Sequence, residues 1–428
     1  VTDPGERRLG DVPRPTVPGL RVVLDARPLQ TPDRSPLGAT YLAGLLGAFD
    51  ESPLPGESFA FLIGSDLDDP TVAYRDLSVV GRRQLPPTRL LRSGSMTVDP
   101  FLLRGAELGA AWRAQRGGAA GAVYHAVGGA ALPIASDLPV VVTLLDLAPW
   151  ELPESFTRSV AGRFGRRLRS QLLRDAARVI VGSDATARAA RRLLRIRRDR
   201  LRVVPFAPRP AFAEPAHDAG RSAAAGLSEK LGLGARYLVF SGRFDARLDL
   251  ATLLGALAAL AAQGRPSGLA EDVLWPPRVL VVGASPEDRA AVARLAARRS
   301  VGEALAYAPG MSVEDLAGLV RGARAAILPV LSEAVGLPVI EALAAGTPVV
   351  ASAVGPLPEL VGPAGLLVEP RDPDRLAVAI ATIWADDTVH QGLARAADDR
   401  AAQPPRTWAD VAADTRAVYA EVGIRRPG

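Results

Sequence analysis

Short runs of β-branched and other apolar residues recur along the chain, separated by alanine- and leucine-rich stretches with helical spacing. Leu20–Leu24, Phe59–Ile63, Val140–Leu144, Val179–Val181 and Arg202–Val204 read as one series of strands. Tyr237–Phe240, Val279–Val282, Ala325–Leu328, Val349–Ala351 and Gly365–Val368 read as a second. Apolar strands without polar alternation, each followed by a helix, belong to parallel sheets covered on both faces. The expected fold is therefore α/β, with two Rossmann-like, doubly wound domains over residues 21–205 and 237–405. A tail, 1–20, precedes them. A stretch rich in Pro, Ala and Gly, 206–236, reads as the linker, and 406–428 holds a last helix around Trp408 to Tyr419. Ligands in such sheets bind beyond the carboxyl ends of the strands, which points to an interdomain cleft. The apolar run Leu250 to Ala262 is shorter than the roughly 20 residues a bilayer demands and reads as a core helix.

Composition narrows the class. At 428 residues, 48% apolar and 23% charged, the chain has the balance of a globular enzyme and not of a disordered one. It has no cysteine, which excludes disulfides, thiolate zinc sites and cysteine nucleophiles. His125, His217 and His390 are too scattered to suggest a metal site. The first 20 residues mix charges with prolines and lack the apolar stretch of a signal peptide, so the expected location is cytoplasmic. Lys230 is the only lysine; the dominance of arginine and alanine reads as coding bias, which makes the net charge of +5 a weak signal.

Where the charge sits says more. Between Arg158 and Arg202, 15 arginines face only Asp175, Asp184 and Asp199, and the rest of the chain is net acidic. Val160, Phe164, Leu168 and Leu172 recur at i+4 while Arg163, Arg166, Arg167 and Arg169 fall between them, as on an amphipathic helix. Two readings stand: a solvated helix face, or a surface for anionic lipid headgroups at the inner face of a membrane. Nucleic acid is not expected as a partner, since no aromatic residues interleave with the arginines.

The most specific stretch runs from Pro329 through Glu333, Gly336, Pro338, Glu341 and Gly346 to Val350. Proline suits the start of a helix, and amides at that start can point, unpaired, toward an anion such as a diphosphate. Two carboxylates, Glu333 and Glu341, flank the helix start and can accept hydrogen bonds from sugar hydroxyls. On spacing alone both also read as ordinary surface residues.

This stretch resembles the retaining GT-B glycosyltransferases of glycosyltransferase family 4, at Glu333, Gly336, Leu337, Pro338, Glu341, Gly346, Thr347 and Pro348. Gly355 to Gly362 and Gly365 to Pro373 also look like the family, and the likeness extends from about Arg21 to Asp386. It implies a GT-B fold with the last helix returning to the N-terminal domain. It also implies a nucleotide diphosphate sugar as donor substrate, no cofactor and no essential metal. Glu333 would bind donor-sugar hydroxyls and Glu341 the ribose, with Gly38, Gly242, Arg243, Arg247, Val335, Gly336 and Leu337 completing the donor site. Glu333 and Arg247 would carry the chemistry, and His125 and Asp146 would lie on the acceptor side.

The departures fall at the chemistry. Leu145 stands where the family has histidine and Leu248 where it has lysine, leaving Arg247, with Arg243 as a substitute, to meet the leaving diphosphate. The family's Asn-Gly after Pro205 is Phe206-Ala207. The function implied is hexosyl transfer with retention to a glycan or lipid-linked acceptor. The alternative is a non-catalytic homologue that serves as a nucleotide-binding partner or scaffold subunit.

Overall fold

The computed structural model describes residues 19–88, 98–104, 121–156, 159–214, 218–242, 244–308 and 310–423. Its strands make two parallel sheets. In the first, β1 (Leu20–Asp25), β2 (Ser58–Gly64), β3 (Val79–Leu85), β4 (Gly121–Val127), β5 (Val140–Thr143), β6 (Arg178–Val181) and β7 (Leu201–Val203) lie in the order β3-β2-β1-β4-β5-β6-β7. In the second, β8 (Leu238–Ser241), β9 (Val279–Val282), β10 (Leu305–Ala308), β11 (Ala325–Leu328), β12 (Val349–Ser352) and β13 (Gly365–Val368) lie in the order β10-β9-β8-β11-β12-β13. Both orders wind outward in two directions from a central pair, β1 beside β4 and β8 beside β11. At such a reversal the loops leave the strands on opposite faces and open a crevice.

The residues explain the layers. Every position of β1 and β2 is buried, so neither face of these strands meets water and helices must cover both. The strands absent from the sequence reading are β3 and β10, both at sheet edges, and β4, of which only His125 was singled out. The β3 sequence Val-Val-Gly-Arg-Arg-Gln-Leu is mostly exposed and carries Arg82 and Arg83, charges that suit an edge strand because they discourage further pairing. Around the sheets run α1 (Pro36–Glu51), α2 (Val160–Asp175), α3 (Asp184–Leu194), α4 (Asp218–Lys230), α5 (Leu250–Gln263), α6 (Pro286–Ala297), α7 (Val313–Gly322), α8 (Leu337–Ala344), α9 (Pro373–Ala385), α10 (Asp387–Ala401) and α11 (Trp408–Gly423), besides shorter turns. Ser183, Ser285, Ser312 and Asp372 each accept a hydrogen bond from the amide three residues on, which fixes where α3, α6, α7 and α9 begin. Residues 206–236 carry the turn Pro210–Ala213 and α4.

The chain divides into two compact units. The described parts of Val1–Thr143, Leu168–Ile180 and Trp408–Gly428 form the first, and Leu144–Arg167 with Val181–Thr407 the second. In the first, Tyr41, Phe49, Phe59, Phe61, Tyr124 and Tyr419 are fully buried. Here α11 is fastened by Arg416, which grips Glu57 with two hydrogen bonds (3.0 and 2.7 Å) while its guanidinium lies 4.6 Å from the Phe49 ring. In the second, Phe212, Phe240, Leu254, Ile380 and Trp384 belong to one continuous core on β8 to β13.

Candidate functional site

The central pair of the second sheet sets the site. Beyond β8 the chain runs through Gly242 to Asp249, and beyond β11 through Pro329 to Gly336. Because these strands are neighbours, their loops run side by side. Asp249 N–H donates to Pro329 O (2.9 Å), Leu331 N–H donates to Arg247 O (2.7 Å), and Leu248 forms an antiparallel bridge with Val330. Leu248 also packs against the core, so the position where the family carries lysine is an apolar clamp between the two loops.

The second loop then turns into α8. Gly336, its N-cap, has φ +75°, and a Cβ there would come within 2.6 Å of Leu360 Cδ1, so only glycine makes this turn. Gly355 (φ +54°) lies against the loop so closely that a Cβ would sit 2.0 Å from the Glu333 carbonyl oxygen. Held this way, the amides of Ala334, Val335 and Gly336 converge on one atom, Glu333 Oε1, at 3.0, 2.9 and 2.9 Å. Consecutive N–H groups aimed at one point, at the start of a helix, make an anion-binding nest. The amides expected to be unpaired are thus engaged by the chain's own carboxylate. Glu333 Oε2 makes no hydrogen bond among the described residues.

Arg247 lies on the neighbouring loop. Its Nε and Nη2 donate to Asp245 (Oδ1 at 3.0 Å, Oδ2 at 2.7 Å), its Nη1 pairs with Asp146 Oδ2 (3.0 Å), and its guanidinium is 5.5 Å from the Phe156 ring. Burial works against its charge, but the Asp245 hydrogen bond and the charges of Asp146, Asp245 and Glu333 outweigh it and hold the Arg247 pKa above its usual value. Ser332, buried beside Glu333, donates to Glu151 Oε2 (2.5 Å). Burial raises the Glu151 pKa, assisted by Asp146 and Glu333 and opposed by Ser332 and Arg192.

Glu341, one turn into α8, is only 4% exposed. Its carboxylate is gripped by Arg209, with Nε to Oε1 at 2.5 Å and Nη2 to Oε2 at 2.9 Å. Burial holds its pKa above the usual carboxylate value, although Arg209 pulls it down. A small cavity of about 20 Å³ under α8 is lined by Phe212, Val239, Leu316, Ile327, Pro338 and Glu341 among others, and neither Glu333 nor Arg247 reaches it.

Two family models match these segments, one described as glycosyl transferases group 1 over residues 235–386 and the other as glycosyltransferase family 4 over residues 100–206. The chain carries glycosyltransferase group 1 and glycosyltransferase family 4 domains. It is 30% identical over 285 residues to a D-inositol 3-phosphate glycosyltransferase of Jonesia denitrificans, a match covering 64% of this chain and 62% of the relative. It is 40% identical over 131 residues to the MMP alpha-(1->4)-mannosyltransferase of Mycolicibacterium hassiacum, covering 29% of this chain and 31% of the relative. Both matches therefore span less than two thirds of the relatives' lengths. In fold it resembles a sucrose-phosphate synthase from Thermosynechococcus elongatus (TM-score 0.66, 21% identity, 94% of this chain and 98% of the other). It also resembles Anabaena HepE in complex with UDP and glucose (TM-score 0.66, 17% identity, 94% and 99%). These likenesses make the two parallel-sheet domains a GT-B fold.

Glu333, Val335, Gly336, Leu337, Arg247 and Gly242 gather at the ends of β8 and β11. Arg243 lies outside the described residues. Three expectations need correcting. Gly38, expected in a glycine-rich loop by the resemblance, is buried in the first turn of α1, with a Cβ position only 2.5 Å from Ser35 Oγ. His125 is fully buried inside β4, with Nδ1 2.6 Å from Tyr419 Oη and Nε2 2.8 Å from Thr143 Oγ1, so neither ring nitrogen is available to an acceptor. Asp146, expected apart from Arg247 on the acceptor side, pairs with it, with its Oδ1 accepting the Ala148 amide (2.8 Å). Leu145 is buried and puts no imidazole at the site. Arg209, Asp245, Glu151 and Ser332 went unnoticed in the sequence. Asp245, two residues before Arg247, was the one with a local signal. The others arrive from distant segments.

No group of three or more His, Cys, Asp or Glu side chains is placed to hold a metal among the described residues, and none of their helices is long and apolar enough to cross a membrane.

Proposed function

We propose that this glycosyltransferase moves a hexose from a nucleotide diphosphate sugar to a glycan or lipid-linked acceptor, with retention at the anomeric carbon. The observation that carries the reading is the nest of three amides at the start of α8, with Glu333 at its mouth and Arg247 on the adjoining loop. Amides fixed by Gly336 stabilise negative charge without reorganising, which is what a departing diphosphate requires. Glu333 supplies an acceptor for sugar hydroxyls, and Glu341, ionised beside Arg209, one for the ribose. The acceptor hydroxyl attacks C1 on the face from which the diphosphate leaves, and its proton passes to the departing phosphate oxygen. The protein's part is positioning and charge stabilisation. The names of the relatives, a mannosyltransferase and inositol-phosphate glycosyltransferases, and the UDP and glucose in HepE support a hexose donor of this class.

The acceptor reading draws on α2. Val160 and Phe164 are 74% and 57% exposed, while Leu173, further along, is fully buried. The first half of the helix thus presents apolar side chains to solvent next to Arg163 and Arg167, an arrangement that suits an anionic lipid surface on the cytoplasmic side.

The test is a panel of nucleotide sugars, read by thermal shift and by donor hydrolysis or transfer. One donor should raise the melting point and be turned over. Arg247→Ala should then lower kcat about 10²-fold or more while changing affinity less. Turnover that survives both Arg247→Ala and Glu333→Ala would place the chemistry elsewhere.

A further inference from the structure

Glu341 stands in surroundings that do not by themselves permit a carboxylate. It is 4% exposed and faces a small cavity lined mostly by apolar residues, Phe212, Val239, Leu316, Val320 and Ile327 among them, with Ser241 the one other polar residue. A lone carboxyl group there would keep its proton, because burying an uncompensated charge in apolar surroundings costs more than neutralising it. A protonated carboxyl is a poor partner for a ribose, whose hydroxyls are best met by an ionised acceptor.

Arg209 resolves the conflict. It sits at the N-cap of the turn Pro210–Ala213, between Pro208 and Pro210, which limit the backbone at this point. Its guanidinium lies 5.0 Å from the Phe212 ring, which fixes the plane from which Nε and Nη2 reach the two carboxylate oxygens at 2.5 and 2.9 Å. Among the described residues no other charged side chain acts on Glu341. The fork fixes the orientation of the carboxylate through two parallel hydrogen bonds, which a single-point ammonium does not.

We propose that Arg209 is the positioning residue of the nucleotide site: it holds Glu341 as an oriented, ionised acceptor for the ribose hydroxyls, so that preference for a ribonucleotide runs through this pair. The inference rests on the donor-site reading given above.

The experiment compares UDP, GDP and ADP with their 2′,3′-dideoxy counterparts by calorimetry, on the full chain and on Arg209→Lys and Arg209→Met. The wild-type protein should bind one ribonucleotide about tenfold or more tightly than its dideoxy analogue, as expected when one charge-assisted partner is at stake. Arg209→Met should bring the two affinities within about twofold of each other. Arg209→Lys, which keeps the charge but not the fork, should retain part of the preference. With a turned-over donor, both variants should raise KM with little change in kcat. A purely structural role would weaken both nucleotides equally and leave their ratio intact, and that result would overturn the proposal. So would tighter ribonucleotide binding in Arg209→Met, which would make Arg209 a competitor for Glu341. If Arg209→Met does not fold, the ratio in Arg209→Lys decides. A wild-type protein that ignores all the nucleotides, or a Glu341→Gln variant that binds them unchanged, would sink the donor-site reading itself, and the Arg209 proposal with it.

Discussion

His125 gives the fold a measurable weakness to acid. It is completely buried in β4 within a continuous hydrogen-bond chain, and Thr143 Oγ1 donates onward to Tyr41 Oη (3.2 Å). That direction leaves Thr143 Oγ1 to accept from Nε2–H, and Nδ1 to accept from the Tyr419 hydroxyl, so the network assigns the neutral Nε2–H tautomer. Protonating Nδ1 would set two donors against each other, and burial depresses the His125 pKa from 6.5 to about 3. The unfolded chain therefore binds a proton below pH 6.5 that the folded chain refuses until about pH 3. Stability from this group is complete above pH 6.5 and is lost as the pH falls through that window. At pH 5 the loss is about 2 kcal/mol, and at the bottom of the window on the order of 5. Urea denaturation from pH 8 to 5, followed by circular dichroism, measures it. His125→Gln keeps a donor and an acceptor but does not titrate, so it should lower stability at pH 8 yet flatten the pH dependence by about 2 kcal/mol. His390→Gln is the control for the partly buried histidine, whose pKa burial also lowers. Wild-type and His125→Gln curves that run parallel from pH 8 to 5 would refute the reasoning.

The remaining predictions concern charge. Asp146→Asn removes one of the two carboxylates on Arg247 and should strengthen binding of a nucleoside diphosphate about three- to tenfold at low salt, since the incoming phosphates no longer compete with Asp146. Weaker binding would instead make Asp146 a direct ligand of the donor. The variant Phe164→Ser with Arg163→Gln and Arg167→Gln should lose binding to vesicles containing anionic lipid without a change in melting point, and the wild-type binding should weaken steeply with salt. Retained vesicle binding would leave this half of α2 a solvated face.

Most strands of both sheets were legible because each holds a short run of consecutive apolar residues, a pattern that survives without knowledge of neighbours. β3 was not, because an edge strand is half solvated and need not be apolar, whereas β10, Leu-Ala-Tyr-Ala, is apolar and mostly buried but too short and alanine-rich to stand apart from the helices. Val79 to Leu85 is specified by its place beside β2 and not by its own composition. The same division holds at the site. Glu333 and Gly336 stood out through the family resemblance of one continuous stretch, since a loop that turns into a helix writes its requirements in adjacent residues. Arg209 belongs to a proline-flanked segment 132 residues from Glu341, and Glu151 lies 181 residues from Ser332. Such pairs exist only once the sheet order has brought the segments together. His125 shows the converse error. A histidine at a strand end looks chemical in one dimension, but the strand continues to Val127, and α11 supplies Tyr419 from the far end of the chain to satisfy it.

The charged groups of the proposed donor site, among the described residues, share one physical state: each is already paired with a group of this chain. The amide nest holds Glu333 Oε1, Arg247 holds Asp245 and Asp146, and Glu341 holds Arg209. Buried polar groups require partners, and a site built for a dianionic, hydroxyl-rich ligand must find them internally when that ligand is absent. On the proposed function, donor binding is therefore an exchange. The diphosphate or a sugar oxygen takes the nest and Glu333 turns toward the sugar, so the gain is the difference between two satisfied states and not the full strength of the new bonds. Leu248 sharpens the consequence. With the lysine position given to an apolar clamp and Arg247 shared between two carboxylates, the charge developing on the leaving diphosphate falls chiefly on the amides of residues 334–336, whose geometry depends on Gly336.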